Sequence, residues 1–147
     1  FLVKDMSYNV DRKRHEGFCR ALIKNGISEK DQLFYNGSIR MEFLDAIIEN
    51  IISKKVECII CGDDEICTMV MSRLQAEGYR IPKDVAIASL YNSTNLDCYS
   101  PAVTAVSVAA SQMGGTAVRQ LLQARRGENY EKKTMLDYDI LFRKSTN

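Results

Sequence analysis

The 147-residue chain is 46% hydrophobic and 27% charged, the balance of a soluble globular domain with room for one real core. Twenty basic and nineteen acidic side chains leave a net charge of +1, which gives no electrostatic footprint for a nucleic-acid backbone and no attraction to a membrane surface. Apolar runs are only a few residues long, far short of a spanning helix, and no signal peptide is visible.

The chain opens at Phe1-Leu2-Val3, which reads as the end of a strand and hence as a piece of a longer polypeptide. Val10 to Lys24 carries Phe18, Ala21 and Leu22 at helical spacing and stops at Asn25-Gly26. Gln32 to Tyr35 is a short strand ending at Asn36-Gly37. Ser38 then stands as the N-cap of a helix with Phe43, Leu44, Ile47, Ile48 and Ile51 on one face. Val56 to Cys61 is the third strand. Asp63 and Asp64 open a helix with Met69, Leu74 and Ala76, stopped at Gly78, and Val85 to Leu90 follows Pro82 as the fourth strand. Beyond Pro101, Val103 to Val108 is a strand or extended crossover. Ser111 to Gln123 is a helix with Met113, Ala117, Leu121 and Leu122 apolar, and Lys133 to Phe142 is a last strand. This alternation predicts an α/β fold, a parallel sheet flanked by helices on both faces.

The odd count of five cysteines predicts free thiols in a reducing compartment. Cys58 and Cys61 are spaced like half a zinc knuckle, but no second pair follows and His15 is the one histidine. The reading is buried small hydrophobes, with no metal and no cofactor. His15 reads as exposed.

In an open parallel sheet, ligands bind beyond the carboxyl ends of the strands. Four junctions then share one rim: Met6 to Arg14, Asn36 to Ser38, Gly62 to Asp64, and Tyr91 to Asn95. Arg12, Lys13 and Arg14 supply donors there, and Asp63 and Asp64 supply acceptors, a combination that suits sugars and polar metabolites. Solvated helix ends explain the same residues equally well. The acidic pair also resembles a phospho-receiver pocket, but the other junctions carry Asn36, Tyr91 and Asn92 in place of the aspartate and lysine that chemistry needs. No glycine-rich phosphate loop or nucleophile–histidine–acid motif is present, so the chain is not expected to be an enzyme.

Several ordered segments then converge. They are Arg14-His15-Glu16-Gly17-Phe18, the strand Val56 to Cys61 ending in Gly62-Asp63-Asp64, and Gly78-Tyr79-Arg80-Ile81-Pro82-Lys83-Asp84-Val85-Ala86-Ile87. With them come Pro101-Ala102-Val103-Thr104-Ala105-Val106, Met113-Gly114, Gly127-Glu128 and Phe142-Arg143-Lys144-Ser145-Thr146. Over nearly the whole chain, the sequence resembles the effector-binding domain of the lactose/galactose repressor family of bacterial transcription regulators. Gly17 is expected to permit close helix–sheet packing and Pro82 to fix the approach to a strand.

The resemblance implies a type I periplasmic-binding-protein-like fold of two lobes with an effector between them. Residues 1–107 and 130–147 would form the C-terminal lobe. Residues 108–129 would form a crossover and a helix packed on the other lobe. The implied partners are a small sugar-like effector, a second copy of the chain in a homodimer, and DNA through a separate headpiece, in the cytoplasm. By the same match, Arg14, Asp63, Tyr91, Tyr8, Val10 and Gly37 line the effector site, and Ile39, Thr68, Met71 and Tyr99 the dimer interface. Tyr91 stands where the family has an effector-binding aspartate, Asp63 where it has an asparagine, and Gly37 where a relative has an aromatic wall. The alternative is a periplasmic sugar-binding protein of the same architecture. The apolar face at Met113, Ala117, Leu121 and Leu122, lacking its partner lobe, is expected to drive association between chains.

Overall fold

The structure is a computed structural model that describes residues 1–28, 30, 32–37 and 41–147, with Met41 and Glu42 described in backbone only. Its elements are β1 (Leu2–Val3), α1 (Asn9–Lys24), β2 (Tyr35–Asn36), α2 (Met41–Ser53), β3 (Cys58–Cys61) and α3 (Asp64–Ala76). They continue through β4 (Ala86–Ser89), α4 (Thr94–Cys98), β5 (Thr104–Val108), α5 (Ala110–Arg125) and β6 (Tyr138–Leu141). The expected N-cap Ser38 and the interface candidate Ile39 lie outside the described residues.

The six strands form one sheet in the order β2-β1-β3-β4-β5-β6. β1 to β5 are parallel, with Leu2 opposite Tyr35 on one side and Cys61 on the other, and Cys58 to Cys61 opposite Ala86 to Ser89. The last strand departs from the expected parallel arrangement. β6 returns antiparallel to β5, pairing Val108 with Tyr138 and Ala105 with Leu141, as an edge strand can when the chain re-enters from the opposite end. The order also reverses direction between β1 and β3. Right-handed crossovers then place α1 on one face of the sheet and α2, α3 and α4 on the other.

The main core lies under α2, α3 and α4. Residues Ile66, Cys67, Val70, Met71 and Leu74 recur every three to four positions, so one stripe of α3 meets the sheet at Ile59, Cys61 and Ile87. All eight are 0–1% exposed. Leu44, Ile48 and Ile51 of α2 and Leu96 of α4 close the same cluster. Burying each of these large side chains is worth about 1.5–3 kcal/mol. The C-terminal segment is tied in by polar groups. Ser145, fully buried, donates through Oγ to the Ile87 carbonyl (2.6 Å) and accepts from the Thr104 amide (2.9 Å).

Several local expectations are corrected. Only Cys61 and Cys67 are buried; Cys58 and Cys98 are exposed and Cys19 is half-buried. Cys58, the first residue of β3, pairs with Ala86 of β4 and is exposed. Gly17 permits no close approach, since a Cβ there would meet nothing, whereas one at Gly62 would lie 3.1 Å from the Leu2 carbonyl and from Val3 Cγ1. His15 is half-buried, its ring 4.1 Å from that of Phe34 and 6.2 Å from that of Phe1. The short helix α4 was given no range in the sequence reading and begins within the junction Tyr91 to Asn95.

Candidate functional site

The reversal between β1 and β3 is a topological switch point, where neighbouring crossovers leave the sheet on opposite faces and open a crevice at the strand ends. The loop after β1 is built first by its own polar groups. Asp5 accepts the Ser7 amide through Oδ1 (2.8 Å), a bond that holds its carboxyl below the ordinary range, and the Tyr8 amide through its carbonyl (3.1 Å). The Met6 amide donates to Asn36 Oδ1 (3.1 Å) and fastens this loop to the end of β2. On the other side, the Gly62 amide donates to the Leu2 carbonyl (2.7 Å), drawing the β3 end close to β1.

Two helices start at this crevice. In α1, Asp11 occupies the third helical position and is 5% exposed. Its Oδ2 accepts the Asp5 amide (3.2 Å) and its Oδ1 accepts from Arg14 Nη1 (3.0 Å). Asp11 is the one hydrogen-bond partner of the Arg14 guanidinium among the described residues, so the fork is pinned at one corner and keeps further donors unused. In α3, Asp63 is the N-cap: Oδ1 accepts the Ile66 amide (2.9 Å) and Oδ2 pairs with Lys4 (3.2 Å). Lys4 also pairs with Glu65. These two carboxylates, Glu65 foremost, raise its pKa above the ordinary value against the opposing effect of partial burial.

The remaining candidates follow the strand ends. Tyr91, after β4, is 46% exposed, and its backbone is set by Ser89, whose Oγ donates to the Tyr91 carbonyl (2.7 Å) and accepts the Tyr91 amide (3.2 Å). Tyr8 and Val10, at the start of α1, are exposed, and so is Gly37 beyond β2. Arg14, Asp63, Tyr91, Tyr8, Val10 and Gly37 therefore lie along one edge of the sheet, with Asp63 already engaged in capping. Sequence reasoning missed Asp11 and Lys4. An acidic residue at the third position of a helix, able to reach back to the preceding loop, was the available signal for Asp11. Nothing in the sequence spacing marked Lys4. It missed the anchor behind Tyr91 as well: Arg143 Nη1 donates to Asn92 Oδ1 (2.9 Å) and the Val103 carbonyl (2.6 Å), while Nη2 pairs with Asp97 (2.9 Å).

Of the interface candidates, Met71 is corrected. It is fully buried within the chain, on the α3 stripe that faces the sheet, and has no surface to offer a partner. Thr68 and Tyr99 are half-buried and joined to each other by Tyr99 Oη donating to the Thr68 carbonyl (3.2 Å). A cavity of about 660 Å³ lies at the opposite end of the sheet, between Phe18 and Leu22 of α1 and the stretch Val56 to Ile60. No group of three or more His, Cys, Asp or Glu side chains placed to hold a metal occurs among the described residues. No helix among them is long and apolar enough to cross a membrane. Cys61 is held protonated by its hydrogen bond with Cys67 and by burial, which raise its thiol pKa.

The carboxyl ends of the strands thus bring Arg14, with donors to spare, and the exposed rings of Tyr8 and Tyr91 to one switch-point crevice of an open α/β sheet. The model for the periplasmic binding protein-like domain matches residues 1–146, and the chain belongs to that family. Over 135 residues it is 26% identical to the HTH-type transcriptional repressor PurR of Erwinia tasmaniensis, covering 90% of this chain and 40% of the relative. It is 27% identical to the HTH-type transcriptional regulator RegA of Clostridium acetobutylicum, covering 87% and 39%. Among solved structures, the transcription regulator CcpA of Lactococcus lactis matches with a TM-score of 0.87 at 23% identity, covering 99% of this chain and 54% of that one. A lac repressor dimer bound to operator and the anti-inducer ONPF matches with a TM-score of 0.86 at 20% identity, covering 99% and 44%. The resemblance to lactose/galactose-type repressors is thus matched by sequence relatives and by fold. The chain spans about two fifths of the length of the curated relatives it matches.

Proposed function

We propose that this chain is part of the effector-sensing and dimerisation domain of a bacterial DNA-binding transcription repressor, in which a sugar-like or other small polar metabolite modulates operator binding. The observation that carries this reading is the Asp5–Asp11–Arg14 clamp, which holds a guanidinium at the switch-point crevice with most of its donors free for a guest. Relatives that are transcription regulators support the setting. Tyr91, in the place of the family's aspartate, offers a ring face for stacking rather than a carboxylate for two hydroxyls.

In this reading, residues 1–107 and 130–147 form one lobe, and 108–129 cross to a second. Two observations support the division. No residue of α5 is buried. The accessible surface, 9938 Å², exceeds the roughly 7,600 Å² expected of a compact monomer of 16.7 kDa. Effector bound between the lobes biases their closure, and a homodimer surface that includes Thr68 and Tyr99 passes the change to the headpieces.

The test is a thermal-shift screen of the intact protein against sugars, sugar phosphates and other small metabolites, repeated with Arg14→Ala. Stabilisation by one compound, lost in the variant, is the expected result. No stabilisation by any compound refutes the sensor role and leaves a dimerisation scaffold.

A further inference from the structure

We infer that Cys19 and His15 form a nucleophile–base pair on α1, which makes Cys19 the site at which this chain takes up low-molecular-weight disulfides as mixed disulfides. The pair plays no part in the sensor reading above.

His15 and Cys19 stand four residues apart in α1, so the helix sets their side chains one turn apart on the same face. His15 Nε2 lies 3.5 Å from Cys19 Sγ, within reach of a hydrogen bond to sulfur. The proton of that bond has two positions. A thiol donates to a neutral ring, or a thiolate accepts from an imidazolium. The thiolate is the nucleophile, and a neighbouring imidazole is what gives a cysteine access to it near neutral pH. The ring is itself held in place. It sits 4.1 Å from the ring of Phe34 and 6.2 Å from that of Phe1, and this aromatic packing fixes its plane. A base that other groups hold beside the thiol is the arrangement that activates cysteine nucleophiles.

Exposure ranks the thiols differently. Cys58 and Cys98 are exposed, Cys19 is half-buried, and Cys61 and Cys67 are buried. Access alone would make Cys58 and Cys98 react first. His15 is the one histidine of the chain, and its place beside Cys19 reverses that order. The step is a thiol–disulfide exchange. His15 takes the Cys19 proton, and the thiolate attacks one sulfur of a small disulfide. A bond from Cys19 Sγ to that sulfur forms as the reagent's own sulfur–sulfur bond breaks. The departing thiolate takes the proton back from His15. Cys19 is thereby oxidised to the mixed disulfide and the other half of the reagent is reduced to its thiol, so the small disulfide is the oxidant and no second one is needed.

The experiment treats the intact protein with oxidised glutathione at neutral pH, quenches with acid at intervals, and follows the adduct on each cysteine peptide by mass spectrometry. Expected is an adduct on Cys19 that forms at least about tenfold faster than on Cys58 or Cys98. In His15→Asn, an amide of similar size fills the place of the ring but cannot take the proton. The Cys19 rate should then fall about tenfold, with the rates at Cys58 and Cys98 unchanged. In concentrated urea, where α1 unfolds, Cys19 should lose its lead over the other thiols. If His15→Asn does not fold, the order of reaction in the unmodified protein and its loss in urea decide. An adduct that forms first at Cys58 or Cys98, a lead that survives unfolding, or a Cys19 rate untouched in a folded His15→Asn variant overturns the inference.

Discussion

Replacing Ser145 by alanine isolates the contribution of one buried hydroxyl. The backbone of residue 145 keeps its own bonds, accepting from the Ile87 amide (3.0 Å) and donating to the Ala102 carbonyl (3.0 Å), so the chain path is preserved. What disappears is the hydroxyl bridge between the Ile87 carbonyl and the Thr104 amide. Both residues are buried, 0% and 5% exposed, and water cannot substitute without a cavity to hold it. Each stranded group costs about 1–3 kcal/mol, and with both near the lower half of that range the loss is about 3 kcal/mol. Unfolding entropy near 2.1 cal/mol/K per residue over 147 residues makes 1 kcal/mol equal to about 3 °C, so Tm should fall by about 9 °C. Calorimetry measures this, with Ser111→Ala on the exposed face of α5 as a control expected within about 0.5 kcal/mol. Amide exchange at Thr104 should accelerate in step with the stability loss. If Ser145→Ala proves indistinguishable from the control, the hydroxyl is not bridging these groups and the C-terminal segment is held by its backbone alone.

Asp63→Ala removes the α3 cap and should cost about 1 kcal/mol in urea unfolding, because the Ile66 amide loses its acceptor; no change in midpoint would count against the cap. Arg80 donates to both oxygens of Asp84 and lowers its pKa to about 2. The folded value lies below the unfolded one near 3.9, so the stabilising contribution is present above pH 4 and disappears as pH falls through about 2. The difference in urea midpoint between the protein and Asp84→Asn should shrink over that window and stay constant from pH 5 to 8. Finally, the isolated 147-residue chain should self-associate through α5, where Leu121 is 69% exposed and Val118 58%. Sedimentation should show concentration-dependent mass that Leu121→Glu abolishes; a strict monomer at high concentration refutes it.

The alternation of strands and helices was legible because apolar spacing changes sharply between elements and each change is punctuated, at Asn25-Gly26, Gly62-Asp63 and Gly78 for example. Short elements were not. Five-residue α4 is shorter than two helical turns and leaves no periodicity to read, and β2, two residues long, lies at the end of the stretch assigned to it. β6 is confined to Tyr138–Leu141 because it has a neighbour on one side only, so the flanking Lys133 end has nothing to pair with. Met71 could have been placed in the core by spacing alone, since 67, 70, 71 and 74 share a helix face. Matching by family position overrode that local rule. The candidate rim was legible as a set of junctions. Its charge pairing was not, because the Lys4–Asp63 contact joins residues far apart in sequence through the neighbouring ends of β1 and β3.

A second charge network connects the rim to the rest of the sheet. Tyr91 is held by Ser89 at the end of β4, and its neighbour Asn92 accepts from Arg143. The same guanidinium holds Asp97 in α4 and the Val103 carbonyl just before β5, while the Arg143 amide donates to Thr104 Oγ1 (2.9 Å). Arg143 is thus a fixed junction, 13% exposed in its side chain, between the Tyr91 loop and the two strands that lead to and from α5. A displacement of the Tyr91 loop must either carry Arg143 with it or break charge-assisted bonds made by a guanidinium that is itself mostly buried. Carrying it moves the start of β5 and the end of β6 together, the two strands that flank α5 in the sequence. The polar network that looks like a structural tie is therefore also a mechanical link from the Tyr91 loop to the strands that flank α5, and it needs no displacement of the apolar core beneath α3.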